Sequence, residues 1–445
     1  MHIHATCALL PEGWARNLRL TIADDRIAAL APDTAARPGD VAVDILLPGL
    51  PNLHSHTFQR GFSGLTEQRG PGRDSFWTWR EMMYRFALAL SPEEVEALAT
   101  LAFVEMLEAG YTRVGEFHYL HHDPEGRPYA DIAEMSGRIV AAAEATGIAL
   151  THLPVFYAHG GFGPAPAGPG QRRFLNDLDR YARLVERCGA LLTRPQDRLG
   201  IAPHSLRAVA PDELAALTAA VPGRPVHIHV AEQTQEVDDC LAHSGARPVE
   251  WLLANAPVGA DWCLIHATHL TPAETRGIAD SRAVVGLCPI TEANLGDGIF
   301  PAEAYLAAGG AIGVGTDSNV EITAAGELRL LEYSQRLATR ARNVTARAGS
   351  TGARLFAAAV AGGSQALGAP APVIAAGAVA DLVGLADPME LGMADDRNLD
   401  RWVFGRDLRV ADVWAAGRHL VEGGRHIHRA EAERNAARAI RRVLT

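Results

Sequence analysis

The chain has no lysine: all 41 of its Lys and Arg residues are arginine. Whatever coding bias lies behind this, it rules out a Schiff-base lysine, a phosphate-loop lysine and a carbamylated lysine bridging two metal ions. Cysteine is sparse. Cys7, Cys188, Cys240, Cys263 and Cys288 are scattered, odd in number and without CxxC spacing, which offers no zinc-cysteine cluster and suits a reduced compartment better than a disulfide framework. Basic runs are missing as well, and a net charge of -11 leaves no electrostatic footprint for nucleic acid. No uncharged apolar run approaches the length that spans a bilayer, and the first residues lack a basic segment followed by an apolar one. The expectation is a cytoplasmic enzyme that binds neither nucleic acid nor membrane.

What is present is a chain of 445 residues, 48% hydrophobic and 21% charged, which is ordinary for a globular protein and long for a single core. Residues 1–45 read as short strands with polar turns, such as 18–22 before Ala23-Asp24-Asp25. From there, apolar runs with polar ends alternate with helix-like segments. The runs are 44–56, 113–118, 148–157, 199–204, 225–232, 263–266, 283–289 and 311–317. Helical spacing is clearest in 92–109, opened by Ser91 as N-cap with Glu94 three residues on, and in 212–220. These β/α units predict an α/β protein, a (β/α)8 TIM-like barrel over 46–372 with the polar strand ends on its catalytic face. A doubly wound sheet would open with a Gly-rich phosphate turn after its first strand, and none stands there. Gly368-Ala369-Pro370-Ala371-Pro372 reads as a linker, 377–385 and 410–421 as strands, and 429–444 as a terminal helix. Segments 1–45 and 373–445 are therefore expected to form one small discontinuous β domain. The Pro/Gly-rich stretch 160–170 reads as a loop after the third barrel strand.

The centre of the pattern is Pro48-Gly49-Leu50-Pro51-Asn52-Leu53-His54-Ser55-His56-Thr57-Phe58-Gln59-Arg60-Gly61. Side chains two apart on a strand project to one face, so His54 and His56 form half a metal site. Spacing alone does not single them out, because His2/His4, His227/His229 and His426/His428 share it among 18 histidines. Position does. His54 and His56 close the first run, His229 comes from the fifth and Asp317 closes the eighth, and three imidazoles with one carboxylate suit Zn²⁺. Glu232, three residues after His229, lies where a proton carrier could reach a substrate nitrogen, and His266 ends the sixth run.

These residues resemble the amidohydrolase superfamily through the Pro48-Gly49-Leu50 lead-in, His54-Ser55-His56, His229 with Glu232, His266 and Asp317. Within it the chain closely resembles the formimidoylglutamate deiminases, through His56-Thr57-Phe58-Gln59-Arg60-Gly61, Phe76-Trp77-Thr78-Trp79-Arg80-Glu81, Pro203-His204-Ser205-Leu206-Arg207 and Thr291-Glu292-Ala293-Asn294-Leu295-Gly296-Asp297-Gly298. The resemblance implies one zinc ion per chain held by His54, His56, His229 and Asp317, with Glu232, His266 and Asp317 catalytic. It implies substrate contacts from Gln59, Arg80, Tyr119, His204 and Arg207. Arginine suits a substrate with two carboxylates, since its planar fork of donors matches each. The expected reaction is hydrolytic deimination of N-formimino-L-glutamate to N-formyl-L-glutamate and ammonia, in histidine degradation. The expected partners are that small dicarboxylate amidine and a second copy of the chain in a homodimer.

Other features have plainer readings. His227 shares parity with His229 and reads as a barrel-lining side chain one layer down, while His2/His4 and His426/His428 fall in the small β domain. His121-His122 follows the second run and could border the pocket. Phe76, Trp77 and Trp79 are either loop packing or a lid. Two rival functions remain at this level: a deaminase of the same barrel acting on a purine- or pyrimidine-like ring, which needs aromatic or amide groups facing a flat base, and a non-catalytic scaffold, which has no need of the full set of ligands and proton carriers.

Overall fold

A computed structural model describes residues 1–69 and 76–445, with 76–78 described for their backbone alone. The chain opens with antiparallel strands β1 (His2–Leu10), β2 (Gly13–Ala23) and β3 (Arg26–Ala31), followed by β4 (Val41–Pro48), which lies parallel to β1. The parallel strands come next: β5 (Leu50–Ser55), β6 (Tyr111–His118), β7 (Ala149–Phe156), β8 (Arg198–Leu199), β9 (Ala202–Pro203), β10 (Val226–Val230), β11 (Trp262–His266), β12 (Val284–Leu287) and β13 (Ala311–Val314). The last strands are β14 (Leu382–Ala386), β15 (Arg409–Ala415), β16 (Arg418–Glu422) and β17 (Arg425–His426).

Both ends of the chain share one 8-stranded sheet, in the order β17-β16-β15-β14-β4-β1-β2-β3. Its link to the parallel strands is Gly49. A Cβ there would stand 2.2 Å from the Thr112 hydroxyl oxygen, so glycine alone lets the chain pass from β4 into β5 against β6. The run 44–56 is thus two strands in two sheets, and β4 extends to Pro48, past the composition break at 45. Late expected strands also divide. Leu382 starts β14 after a turn at Gly377 (φ +82°), and Ala416 (φ +45°) with Gly417 (φ +75°) turns β15 into β16.

The parallel strands form two sheets, β5-β6-β7-β8 and β10-β11-β12-β13, with β9 paired to β7. Bridges join their edges: Ile201 to Val226 on one side, Ser55 to Asp317 on the other. This is a TIM-barrel-like α/β arrangement. Helices pack outside it, as the alternation of patterns requires. Helix Pro92–Glu108 begins with the expected box: Ser91 Oγ accepts from Glu94 N at 3.3 Å and Ser91 N donates to Glu94 Oε2 at 2.8 Å. The end of helix Thr351–Ala366 closes the base of the ring, where Ala366 O takes the Nε2 proton of His227 at 2.8 Å. His227 is therefore a core histidine, as its parity predicts.

Three more histidines are buried beside β6 and β7. The rings of His118 and His121, and of His118 and His152, stand 5.6 Å apart. His152 has no partner for either nitrogen among the described residues. Burial alone pushes His152 down from 6.5 to about 3. The unfolded chain therefore takes up a proton at this residue as pH falls below 6.5 while the folded chain does not, so its contribution to stability is whole above 6.5 and is lost from there toward 3. In His152→Leu, the unfolding free energy measured with denaturant should drop between pH 7.5 and 5.0 by about 2 kcal/mol less than in the parent. Equal drops in both proteins would count against this source of acid sensitivity.

Candidate active site

The site is assembled where β13 meets β5. Gly315 makes the contact possible: a Cβ there would lie 2.7 Å from His54 O. Thr316 N and Asp317 N both donate to His54 O, at 3.0 and 2.9 Å, and His56 N donates back to Asp317 O at 2.9 Å. Behind this seam, Asn52 Nδ2 donates to Thr316 Oγ1 (2.7 Å), Thr316 Oγ1 to Asn319 Oδ1 (2.6 Å), and Asn319 Nδ2 to Ser55 Oγ (3.1 Å). A closed polar network of this kind locks the two strands in register. It carries Asp317 Oδ1 to 3.2 Å from His56 Nε2 and 3.5 Å from His54 Nε2.

The imidazoles are set up as ligands by what their other nitrogens do. His56 Nδ1 donates to Phe117 O at 2.8 Å and His229 Nδ1 to His204 O at 3.1 Å. A carbonyl can only accept, so each neutral ring keeps its lone pair on Nε2, facing inward. His229 Nε2 lies 3.0 Å from His54 Nε2. Ligand atoms of His54, His56, His229 and Asp317 all fall within 4.8 Å of one another and all four residues are buried. Lone pairs converging on a buried point beside a carboxylate fit a cation well. Burial holds His54 down at about 3, against the pull of Asp317. For Asp317 burial acts upward, and the two imidazoles outweigh it, holding its carboxyl well below the usual range.

Strand ends around this point break into left-handed backbone at non-glycine residues: Ala231 (φ +52°), His266 (φ +67°), Ala267 (φ +46°) and Asp317 (φ +43°). Such conformations are unfavourable and persist where the surroundings enforce them. Here they turn functional groups inward. His266 Nε2 sits 3.8 Å from Glu232 Oε1 and 3.9 Å from Asp317 Oδ2, and its Nδ1 is 3.2 Å from Glu292 Oε1. Burial would lower the His266 pKa, but Glu232, Glu292 and Asp317 raise it to about 10. Burial raises that of Glu232, against the pull of His266.

Above the cluster a cavity is lined by every residue expected to touch substrate: Gln59, Arg80, Tyr119, His204 and Arg207. Gln59 Nε2 donates to the Tyr119 hydroxyl at 2.7 Å. Arg80 lies over the Tyr84 ring, 5.5 Å from its centroid. Arg207 has a buried Nε without a hydrogen-bond partner and forms no ion pair among the described residues. Tyr84, Tyr157 and Phe174 also line the cavity, and sequence reading did not single them out because aromatic residues in loops and helices carry no local mark of a pocket. Trp79 faces the same space, whereas the side chains of Phe76 and Trp77, two thirds of the aromatic cluster, lie outside the described residues. His121 and His122 do not line it; their Nε2 protons go to Val155 O (2.9 Å) and Leu175 O (2.8 Å). Glu236 and Glu292, which touch the backbone or ring of proton-carrying candidates, had no assigned role in the sequence.

The chain belongs to the amidohydrolase family, which residues 45–420 match. Residues 1–42 match the N-terminal domain of formimidoylglutamate deiminase HutF. The chain is 52% identical over 449 residues to the formimidoylglutamate deiminase of Pseudomonas aeruginosa, with 99% of this chain and 98% of that one covered. It stands among the formimidoylglutamate deiminases of the family. A crystal structure of an amidohydrolase from Brucella melitensis is 55% identical and superposes with a TM-score of 0.97 over 100% of both chains. An adenosine deaminase from Xanthomonas campestris with bound zinc is 23% identical, with a TM-score of 0.81 over 100% of this chain and 98% of that one, a likeness of fold alone. Among the described residues no helix is long and apolar enough to cross a membrane.

Proposed function

We propose that the protein hydrolyses N-formimino-L-glutamate to N-formyl-L-glutamate and ammonia, a step of histidine degradation in the cytoplasm. The observation that carries this is Arg207, a cavity-lining guanidinium with a buried, unpaired Nε beside the His/Asp cluster. An arginine in such surroundings is completed by a carboxylate from the ligand. The likeness to a curated deiminase over 99% of the chain supports the same substrate. All five cysteines are free and buried, in keeping with a reduced compartment.

The architecture we propose is a (β/α)8 catalytic barrel over 46–372 with a small β domain from 1–45 and 373–445, β4 leading from one into the other. His54, His56, His229 and Asp317 would hold one zinc ion, which would supply Lewis-acid activation of a water molecule. Asp317 Oδ2, the oxygen turned away from the two imidazoles, accepts the proton of that water. His266, 3.8 Å from Glu232 and 3.9 Å from Asp317, steadies the oxygen as it adds to the amidine carbon. Glu232 passes a proton to the amidine nitrogen; as the tetrahedral carbon collapses to the formyl product, Glu232 takes back the hydroxyl proton and the proton on Asp317 goes to the departing nitrogen, which leaves as ammonia. Arg207 and Arg80 hold the carboxylates throughout, with Gln59, Tyr119 and His204 shaping the space between. Specificity resides in these remote contacts, because the amidine itself is small.

Ammonia release over a panel of formimino-glutamate, formimino-aspartate and nucleobases tests the assignment. Formimino-glutamate should be preferred, since one methylene fewer misplaces the carbon in a site anchored at both ends. Arg207→Met should lower kcat/KM by roughly 10- to 150-fold, the loss of a charge-assisted contact of about 1.5 to 3 kcal/mol, with metal content unchanged. Faster turnover of a nucleobase, or an intact kcat/KM in Arg207→Met, would remove the proposed pocket.

A further inference from the structure

We propose that Glu236 is a positioning residue for the reaction, whose carboxylate fixes the backbone bend that aims Glu232 into the cavity. The bend is at Ala231, where β10 ends and a buried non-glycine residue takes φ +52°. Its two consecutive amides are captured by one side chain: Ala231 N donates to Glu236 Oε1 at 3.3 Å and Glu232 N to Glu236 Oε2 at 3.2 Å. On the other side, Ala231 O accepts from His269 N at 3.1 Å. Gln233 is tied in turn, its Nε2 donating to Asp297 Oδ1. The peptides on both sides of Ala231 are thereby held, and Glu236 takes the amide of each.

The chemistry of this contact is specific to a carboxylate. Two oxygens accept two amides; a carboxamide accepts one and turns its own NH2 group toward the other. Glu236 is buried in the first turn of helix Thr234–Ser244, where the exposed amides of a helix start favour a negative charge. Its negative charge also acts favourably on Arg207, the proposed carboxylate anchor. Deformation of a reacting group by about 1 Å costs on the order of a hundredfold in rate. Loss of the Glu236 clamp therefore acts on Glu232 without touching the substrate.

This inference rests on the reading that Glu232 moves the proton. Its test is a double-mutant cycle on formimino-glutamate with Glu236→Gln, Glu232→Gln and the double variant, each checked for zinc content and thermal midpoint. Glu236→Gln should lower kcat by about 10- to 100-fold with a small change in KM and full metal content, and should have almost no further effect once Glu232 is already Gln. An undiminished kcat in Glu236→Gln, or the same fold-loss in both backgrounds, would overturn the proposal, because a general structural role moves both backgrounds alike. If Glu236→Gln does not fold, Glu236→Asp, which keeps the charge and shortens the reach, is read by the same two criteria. Should Glu232→Gln itself keep its turnover, the proton-carrier assignment fails and this inference with it; a disabled Glu232→Gln beside a normal Glu236→Gln refutes the positioning role alone.

Discussion

Glu232→Gln is expected to keep its metal and to lose turnover by about a hundredfold or more, the usual scale for general acid-base catalysis. The distinction comes from geometry. Glu232 lies outside the group of four residues whose ligand atoms converge, and its Oε1 is 3.8 Å from His266 Nε2. Glutamine preserves the shape and the buried position but cannot shuttle a proton at neutral pH. Metal analysis by emission spectroscopy on the same preparation used for kinetics makes the comparison. A Glu232→Gln protein that emerges free of metal would move this carboxylate into the coordination sphere and end its role as a proton carrier.

His229→Ala should lose both metal and activity, down to the background of the assay. His229 supplies one of three imidazoles, and its Nε2 faces that of His54 at 3.0 Å, so its removal leaves a gap at the point where the lone pairs meet. The parent protein, stripped with a chelator, should recover fully with about one equivalent of zinc per chain, since three His and one Asp converging on one point suit a single ion. With no lysine in the chain, a carbamylated bridge between two ions is unavailable to it chemically. Two tightly held equivalents after desalting would refute the mononuclear centre.

Much of this site was legible from the order of residues. Strand parity put His54 and His56 on one face, and the recurrence of apolar runs put His229, His266 and Asp317 at equivalent strand ends, because a parallel α/β ring brings all such ends to one rim. Ser91 with Glu94 marked the start of a helix, since a capping box is made by residues three apart and needs no tertiary partner. The same locality explains what the order of residues leaves open. The split of 44–56 into β4 and β5 depends on Thr112 crowding Gly49, and no nearby residue announces it. Tyr84, Tyr157 and Phe174 share one cavity although they come from three separate segments.

The sequence by itself determined which chemistry was open to the protein: no lysine chemistry and a ligand set suited to zinc, with arginines for a carboxylate-bearing substrate added only by the family resemblance. Those conclusions follow from residue type and short-range periodicity, which are properties of the chain before it folds. Only the tertiary structure decided how the groups are held. Asn52, Thr316, Asn319 and Ser55 lock Asp317 against His54 at the seam between two strands that are far apart in sequence. Left-handed bends at Ala231, His266 and Asp317 are uncommon outside glycine, and buried carboxylates hold two of them, Glu236 at the Ala231 amide and Glu292 at the His266 ring. The lone-pair direction at His56 and His229 was likewise set by carbonyls of Phe117 and His204, because a ring's tautomer is chosen by its neighbour in space.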